Sequence, residues 1–286
     1  MRPSVRGRAW HTGPVIQFRF GLLPVHDIHP WGGERPELSW FGLTDGWYCI
    51  DLAGHELLRY SDRTLERLRG RQSGAQPSPY VDYFVVRLWE DVLDVLAAVM
   101  EPVPADLVGF VSEDHADWPP SDGLEAAAEM DVDAESEVEA AAVWRGDHWF
   151  SMGHLRNPPE LCWWRTLGEG EDVITVTWRH RPDADIEFAA PETGRVTVPT
   201  SEFVAAVTEF DRALLAAMEQ RVAELEAGGI PAGVHIDLRH LRREQQDRAT
   251  WLQRAWAREP TTDWAAVRAG ALTLQARGAA QSHGDR

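Results

Sequence analysis

Residues 37–60 read ELSWFGLTDGWYCIDLAGHELLRY, largely apolar and interrupted by two turn signals. Asp45 and Gly46 supply the positive φ angles of a two-residue hairpin turn, and Ala53 and Gly54 make the next, so a three-stranded meander is expected over about 38–60. Side chains alternate along a strand. That puts Phe41, Leu43, Tyr48, Ile50, Leu52 and Leu57 on one face and Trp40, Trp47, Cys49, Leu58 and Tyr60 on the other. A sheet apolar on both faces must be covered on both, which calls for helices or a second sheet.

Upstream, residues 15–23 (VIQFRFGLL) read as a first strand, followed by a loop holding His26, Asp27, His29, Trp31 and a pair of glycines. Downstream, Ser61 caps a short helix to about Gly70. Val81, Phe84, Val85, Leu88, Val92, Leu96 and Val99 then recur at helical spacing, predicting one helix over 80–100 that Pro102 and Pro104 end. Residues 113–139 have few large apolar groups and read as an acidic mobile loop.

The second half alternates strands and turns. Hairpins are expected at 143–145 with 148–152 around Gly146 and Asp147, at 161–167 with 172–180, and at 186–190 with 195–198 around Thr193 and Gly194. Three helices close the chain, capped by Thr200, Asp237 and Thr262. The stripe Phe203, Val207, Phe210, Leu214, Met218, Val222 and Leu225 marks the first, and Gly228 with Gly229 stops it. The expected fold is α+β, with antiparallel strands (an N-terminal meander and later hairpins) covered by amphipathic helices and a C-terminal three-helix segment. The expected organisation is a disordered extension over 1–14, a meander with helices over 15–112, the acidic loop over 113–139, hairpins and helices over 140–276, and a disordered tail over 277–286. The segments 15–112 and 140–276 form either two domains or one continuous domain.

Composition excludes several activities. All 28 basic residues are arginine. A Walker A loop, a pyridoxal phosphate enzyme and a protein kinase each need a lysine, so none of the three fits. The two cysteines, Cys49 and Cys162, sit in apolar runs, too few for a disulfide framework or a four-ligand zinc site, and read as buried thiols in a reducing cytoplasm. No apolar run reaches the roughly 18 residues of a membrane span, and no signal peptide follows the N-terminal arginines. The expected compartment is the cytoplasm.

Between Arg87 and Arg145 there are sixteen acids and no arginine, so this segment holds all but two units of the net charge of −18. Such a block repels nucleic acid and attracts basic proteins, with an attraction that salt weakens. The candidate partner-binding residues are therefore Glu125, Glu129, Asp131, Asp133, Glu135, Glu137 and Glu139. Among 14 tryptophans, most alternate with aliphatic residues and belong to the core. Trp31, in a loop, is the one singled out as an exposed anchor, and one of the adjacent Trp163 and Trp164 can also reach a surface.

Signals for catalysis are weak. His26, Asp27 and His29 offer metal-ligand types in a loop, but exposed histidines are the commoner explanation, and no cofactor is implied. His55-Glu56-Leu57-Leu58 opens like a zincin motif, yet Arg59 stands where the second histidine belongs. Asp45, Asp51, Glu56, Asp172 and Asp185 fall at strand ends, where an acid/base pair is built in some hydrolases and where turn acids are the default.

The stretch FRFGLLPVHDIHPWGGERPELSWFGLTDGWYCIDLAGHELLRY, with LCWWRTL, VITVTWRH, EQRVAELEAGG and LRREQQDRATWL, resembles an actinobacterial family of unknown function, the domain-of-unknown-function family numbered 5984. The resemblance covers about residues 15–274 and brings no activity with it. Two readings remain open. The favoured one is a protein-binding, immunity-like or interaction module whose acidic segment meets a basic partner. The alternative is a hydrolase or metal-assisted enzyme with a His/Asp site. The first fails if arginines of the same fold neutralise the acids.

Overall fold

The computed structural model describes residues 14–69, 78–112, 132–181 and 185–284. It is α+β with two antiparallel sheets, and it divides into two compact units. One unit comprises Met1–Leu88, Pro182–Pro191 and Ser201–Gln246. The other comprises Trp89–Arg181, Glu192–Thr200 and Asp247–Arg286. Each unit draws on three stretches of chain, so the division does not follow the segments 15–112 and 140–276.

In the first unit the central strand is β2 (Asp45–Leu52). It pairs along its whole length with β1 (Ile16–Leu22), Ile16 opposite Leu52 and Leu22 opposite Gly46. On its other side it pairs with the short β3 (His55–Glu56) and with β4 (Val81–Phe84). The turn at Ala53 and Gly54 forms as read, with φ of 52° and 86° and the Gly54 N–H donating to Asp51 Oδ1 at 2.8 Å. The expected turn at Asp45 and Gly46 does not form. Both lie in β2, and a Cβ on Gly46 would come within 2.1 Å of the Gly21 carbonyl oxygen. The glycine serves close approach of two strands, not a positive φ. Residues 38–41 form no strand; a 3-10 turn, Gly42–Thr44, leads into β2 instead.

The helix expected over 80–100 is likewise two elements, β4 and then α2 (Val85–Met100). The Thr44 hydroxyl accepts the Val86 N–H at 3.3 Å, so a residue far away in sequence satisfies an N-terminal amide of α2. Ser61 caps α1 (Asp62–Arg69) through the Thr64 N–H, as read. The pair expected between 186–190 and 195–198 does not form: Phe188 bridges Tyr60, and Thr64 holds both main-chain groups of Glu187. A long helix closes this unit's core, and all seven residues of its predicted stripe are buried. Each such side chain contributes on the order of 1.5–3 kcal/mol. Trp40 is fully buried, and its indole N–H donates to Gln245 at 2.7 Å. The guanidinium of Arg221 donates to the carbonyls of Leu43 and Leu23.

The second unit holds α3 (Val108–Ser112), α4 (Val132–Gly146) and a sheet of β5 (Trp149–Phe150), β6 (Glu160–Leu167), β7 (Asp172–Arg179) and β8 (Thr193–Pro199), in that order. The β6–β7 hairpin forms across Gly168 and Glu171 as read. The strand expected at 143–145 is the last turn of α4, and 132–139, expected as part of the loop, is helical. Gly194 lies within β8 rather than in a turn. A Cβ there would meet the Trp178 indole at 1.9 Å, so the glycine makes room for the ring. Trp163 and Trp164 are both buried, against the expectation that one reaches a surface, because both sides of β6 are covered.

The remaining helices are α5 (Thr200–Glu226), α6 (Leu238–Arg248), α7 (Trp251–Trp256) and α8 (Trp264–Gly284). Asp237 caps α6 as read, through the His240 N–H. Thr200 and Thr262 do not cap: their hydroxyls donate to Asp172 and Glu101, and Asp263 takes the Ala265 and Ala266 N–H groups at the start of α8. The last helix continues to Gly284, past the expected start of a tail at 277. It crosses α4 closely, since a Cβ on Gly270 would stand 2.0 Å from the Glu137 carbonyl oxygen. Val138, Ala141, Trp144, Cys162, Trp164 and Val267 belong to the core that this crossing seals.

Candidate functional site

The crossing of α4 with α8 fixes one wall of a cleft of about 790 Å³ in the second unit. Asp91, Asp94 and Ala98 line it from α2, at spacings that put them on one helical face, and Glu101 follows just past the helix end. Ser136, Glu139, Val143 and Trp144 line it from α4, with the same periodicity, and Asp147 follows the helix end. The segment from Pro260 to Asp263 completes it. Six carboxylates thus face one cavity, and no arginine or histidine is among the residues that line it.

The carboxylates are held differently. Asp91 is nearly buried, 3.6 Å from His154 Nδ1. Glu101 accepts the Thr262 hydroxyl at 2.6 Å, and Asp263 caps α8. Asp94 has Arg258 at 3.9 Å, with both side chains well exposed, a contact that solvent leaves nearly without worth. Asp147 lies exposed at the edge of the cleft, and partial burial of its carboxyl holds its pKa above the ordinary value. Glu139 stands exposed on the rim.

Beneath the cleft, Trp144 packs edge-on against Trp264 with centroids 5.7 Å apart. His148 Nδ1 lies 2.8 Å from the Trp144 carbonyl oxygen, and burial depresses its pKa to about 4, so the ring is neutral at pH 7 and adds no positive charge. Among the described residues no group of three or more His, Cys, Asp and Glu converges closely enough to hold a metal ion. The acids are dispersed along the cleft. That arrangement suits several cationic groups spaced along a chain, with the indoles of Trp144 and Trp149 as apolar wall.

The sequence-predicted residues fall in several places. Glu125, Glu129 and Asp131 lie outside the described residues. Asp133 is in the first turn of α4, and Glu135, Glu137 and Glu139 follow on that helix. Of these, Glu139 reaches the cleft. Part of the acidic segment is engaged internally: Glu90 pairs with Arg248 at 2.8 Å and Asp106 with Arg268 at 2.6 Å. Asp91, Asp94, Glu101, Asp147 and Asp263, which line the cleft, are not among the residues that the sequence pattern picks out. The common helical face of the first two was a legible signal, but the loop at Asp263 was not.

Trp31 lies in the first unit, 53% exposed, beside Phe41 and Phe84. His26, Asp27 and His29 are exposed on a loop of the same unit, with His26 Nε2 3.6 Å from Asp27. The turn acids do not make an acid/base pair. Asp51 and Glu56 face each other across β2 and β3 with the Arg19 guanidinium near both, at 3.7 and 2.6 Å. Burial opposes ionisation of Glu56, but hydrogen bonds from Arg59, Tyr80 and Arg19 outweigh it and hold the pKa below the ordinary carboxylate range. Asp172, gripped by both Arg165 nitrogens at 2.7 Å and by Thr200, is lowered to about 2. Carboxylates pinned as anions are poor proton donors. Asp185 accepts the Arg67 guanidinium on its carbonyl oxygen. Asp45 sits at the start of β2, raised by burial.

No helix among the described residues is long and apolar enough to cross a membrane. No curated protein and no solved structure matches the chain. One family of unknown function, DUF5984, matches over residues 17–270, and with a match of that extent the chain belongs to it.

Proposed function

We propose that this protein is a binding module and that the acidic cleft of its second unit receives a basic segment of a partner protein. One observation carries the reading: six carboxylates line a single cavity of about 790 Å³ whose lining includes no arginine or histidine. Asp94, Glu139 and Asp147, gathered there with little compensation, repel one another, and that cost is offset when a cationic ligand arrives. Glu139 links the cleft to the acidic run in the sequence, and the cytoplasm, with its basic proteins, is the setting this reading assumes.

The hydrolase or metal-assisted alternative has less support, since Asp51, Glu56 and Asp172 are tied to arginines and His26, Asp27 and His29 stand exposed on a loop. The test is the affinity of a labelled deca-arginine peptide for the full chain at low and high salt. Raising salt from 50 to 500 mM weakens binding by roughly tenfold or more if several carboxylates are engaged, because contacts between exposed charges are screened beyond a Debye length. A salt-independent affinity, or none, contradicts the proposal.

A further inference from the structure

The sheet of the second unit has two edges, and they differ. Strand β5 is two residues long, a short edge of the kind that invites no pairing. Strand β8 is a seven-residue edge, paired with β7 over its whole length without a bulge, Pro199 opposite Val173 and Thr193 opposite Arg179. The His180 N–H donates to the Glu192 carbonyl at 2.7 Å, and that pair continues the same register. Residues that bond across an antiparallel ladder alternate with those that point away. Gly194, Val196 and Val198 therefore bond β7, while Thr193, Arg195 and Thr197 direct their N–H and C=O groups outward. All three are exposed, and their main-chain groups have no hydrogen-bond partner among the described residues. Pro199 falls on the same outward side, where a missing N–H removes no bond from the ladder.

Edges that must stay single are commonly guarded by charge, and β8 has turned its charge away. Its one charged residue is Arg195, whose guanidinium lies 5.3 Å from the ring centroid of Trp164. Trp164 stands on β6, so the arginine reaches back across β7. What remains along the edge is mostly threonine and valine, β-branched side chains that suit strand pairing. The strand is also complementary to itself. In an antiparallel pairing about a two-fold axis at Val196, Arg195 and Thr197 exchange main-chain bonds with Thr197 and Arg195 of a second copy. The Thr193 N–H reaches the Pro199 carbonyl of that copy, the acceptor that a proline keeps. Val196 meets Val196 in the closest kind of pair, and no charge stands opposite a like charge. An axis at Arg195 would instead set arginine against arginine.

We infer that the edge of β8 is the surface on which two copies of this chain pair, joining their four-stranded sheets into one continuous sheet. Each copy offers the same patch to the other, so the contact closes at a dimer. One strand from each copy makes a small interface, and the dimer therefore forms with rising concentration rather than permanently.

Two measurements on the full chain test it. Sedimentation velocity over a rising series of concentrations follows the mass from one chain toward two. Val196→Cys, mildly oxidised, cross-links the copies about tenfold or more faster than Thr193→Cys, because pairing holds the two Val196 positions in contact and raises their effective concentration. Thr193 is exposed on the same strand but lies opposite Pro199 in this register, and the native Cys49 and Cys162 are buried. A chain that stays monomeric throughout leaves the edge to a foreign strand, and the inference falls. A dimer in which Val196→Cys cross-links no faster than Thr193→Cys meets through another surface, and the inference falls equally.

Discussion

His148 follows the end of α4, fully buried, with one ring nitrogen on the Trp144 carbonyl oxygen and burial holding its pKa at about 4 against an ordinary 6.5. His180 is depressed to about 4 by the same cause. Between those values the unfolded chain takes up protons that the folded sites refuse. Stability is thus fully present above about pH 6.5 and falls as the pH drops toward 4, by on the order of 3 kcal/mol for His148 alone. Urea unfolding at pH 7.5 and 5.0 measures the drop, and His148→Gln should flatten it by the share of this residue. Equal pH dependence in the variant and the parent would show that the ring titrates freely in the fold. At this scale the sequence is ambiguous about glycine. Gly54 marks a turn because its φ is positive, while Gly46 and Gly194 read the same way and serve instead to admit a carbonyl and an indole. Local sequence does not separate conformation from proximity as the reason for a missing Cβ.

The α4–α8 crossing is the element on which the cleft depends. A side chain at Gly270 collides with the backbone of α4, which cannot swing aside as a flexible side chain does. Gly270→Val is expected to cost roughly 2–3 kcal/mol of stability, as overpacked core positions do, and to abolish binding in the cleft. Gly109→Ala in α3 meets nothing within 4 Å and is expected to raise stability by up to about 1 kcal/mol through helix propensity. Thermal melts of the two variants check both, and similar behaviour would show that the crossing is loose. Helices with long, uninterrupted stripes were legible, α5 above all, as was the β6–β7 hairpin with its polar turn. The start of α2 was not, because Thr44 meets Val86 through the fold, and β4 carries the same Val and Phe that a helix accepts. Helix α4 was hidden by its composition: a run of acids and alanines shows no apolar stripe until it packs on Gly270.

For the whole molecule, the acidic excess has two destinations. Glu90 is matched by the buried Arg248 and Asp106 by Arg268 at the surface, whereas Asp94, Glu139 and Asp147 face a shared cavity with little or no compensation. The sequence displayed the excess but not this sorting, since Asp263 joins the cleft from a loop distant in the chain. Acids that serve the fold weaken it when neutralised. Acids gathered for a ligand repel one another, and the fold gains or holds its stability when they are removed. The triple substitution Asp94→Asn, Glu139→Gln and Asp147→Asn, assayed for deca-arginine affinity and melting temperature together, separates the two. A ligand-binding role for these three acids predicts that affinity falls about tenfold or more while the melting temperature stays level or rises. Unchanged affinity with a lowered melting temperature would contradict it.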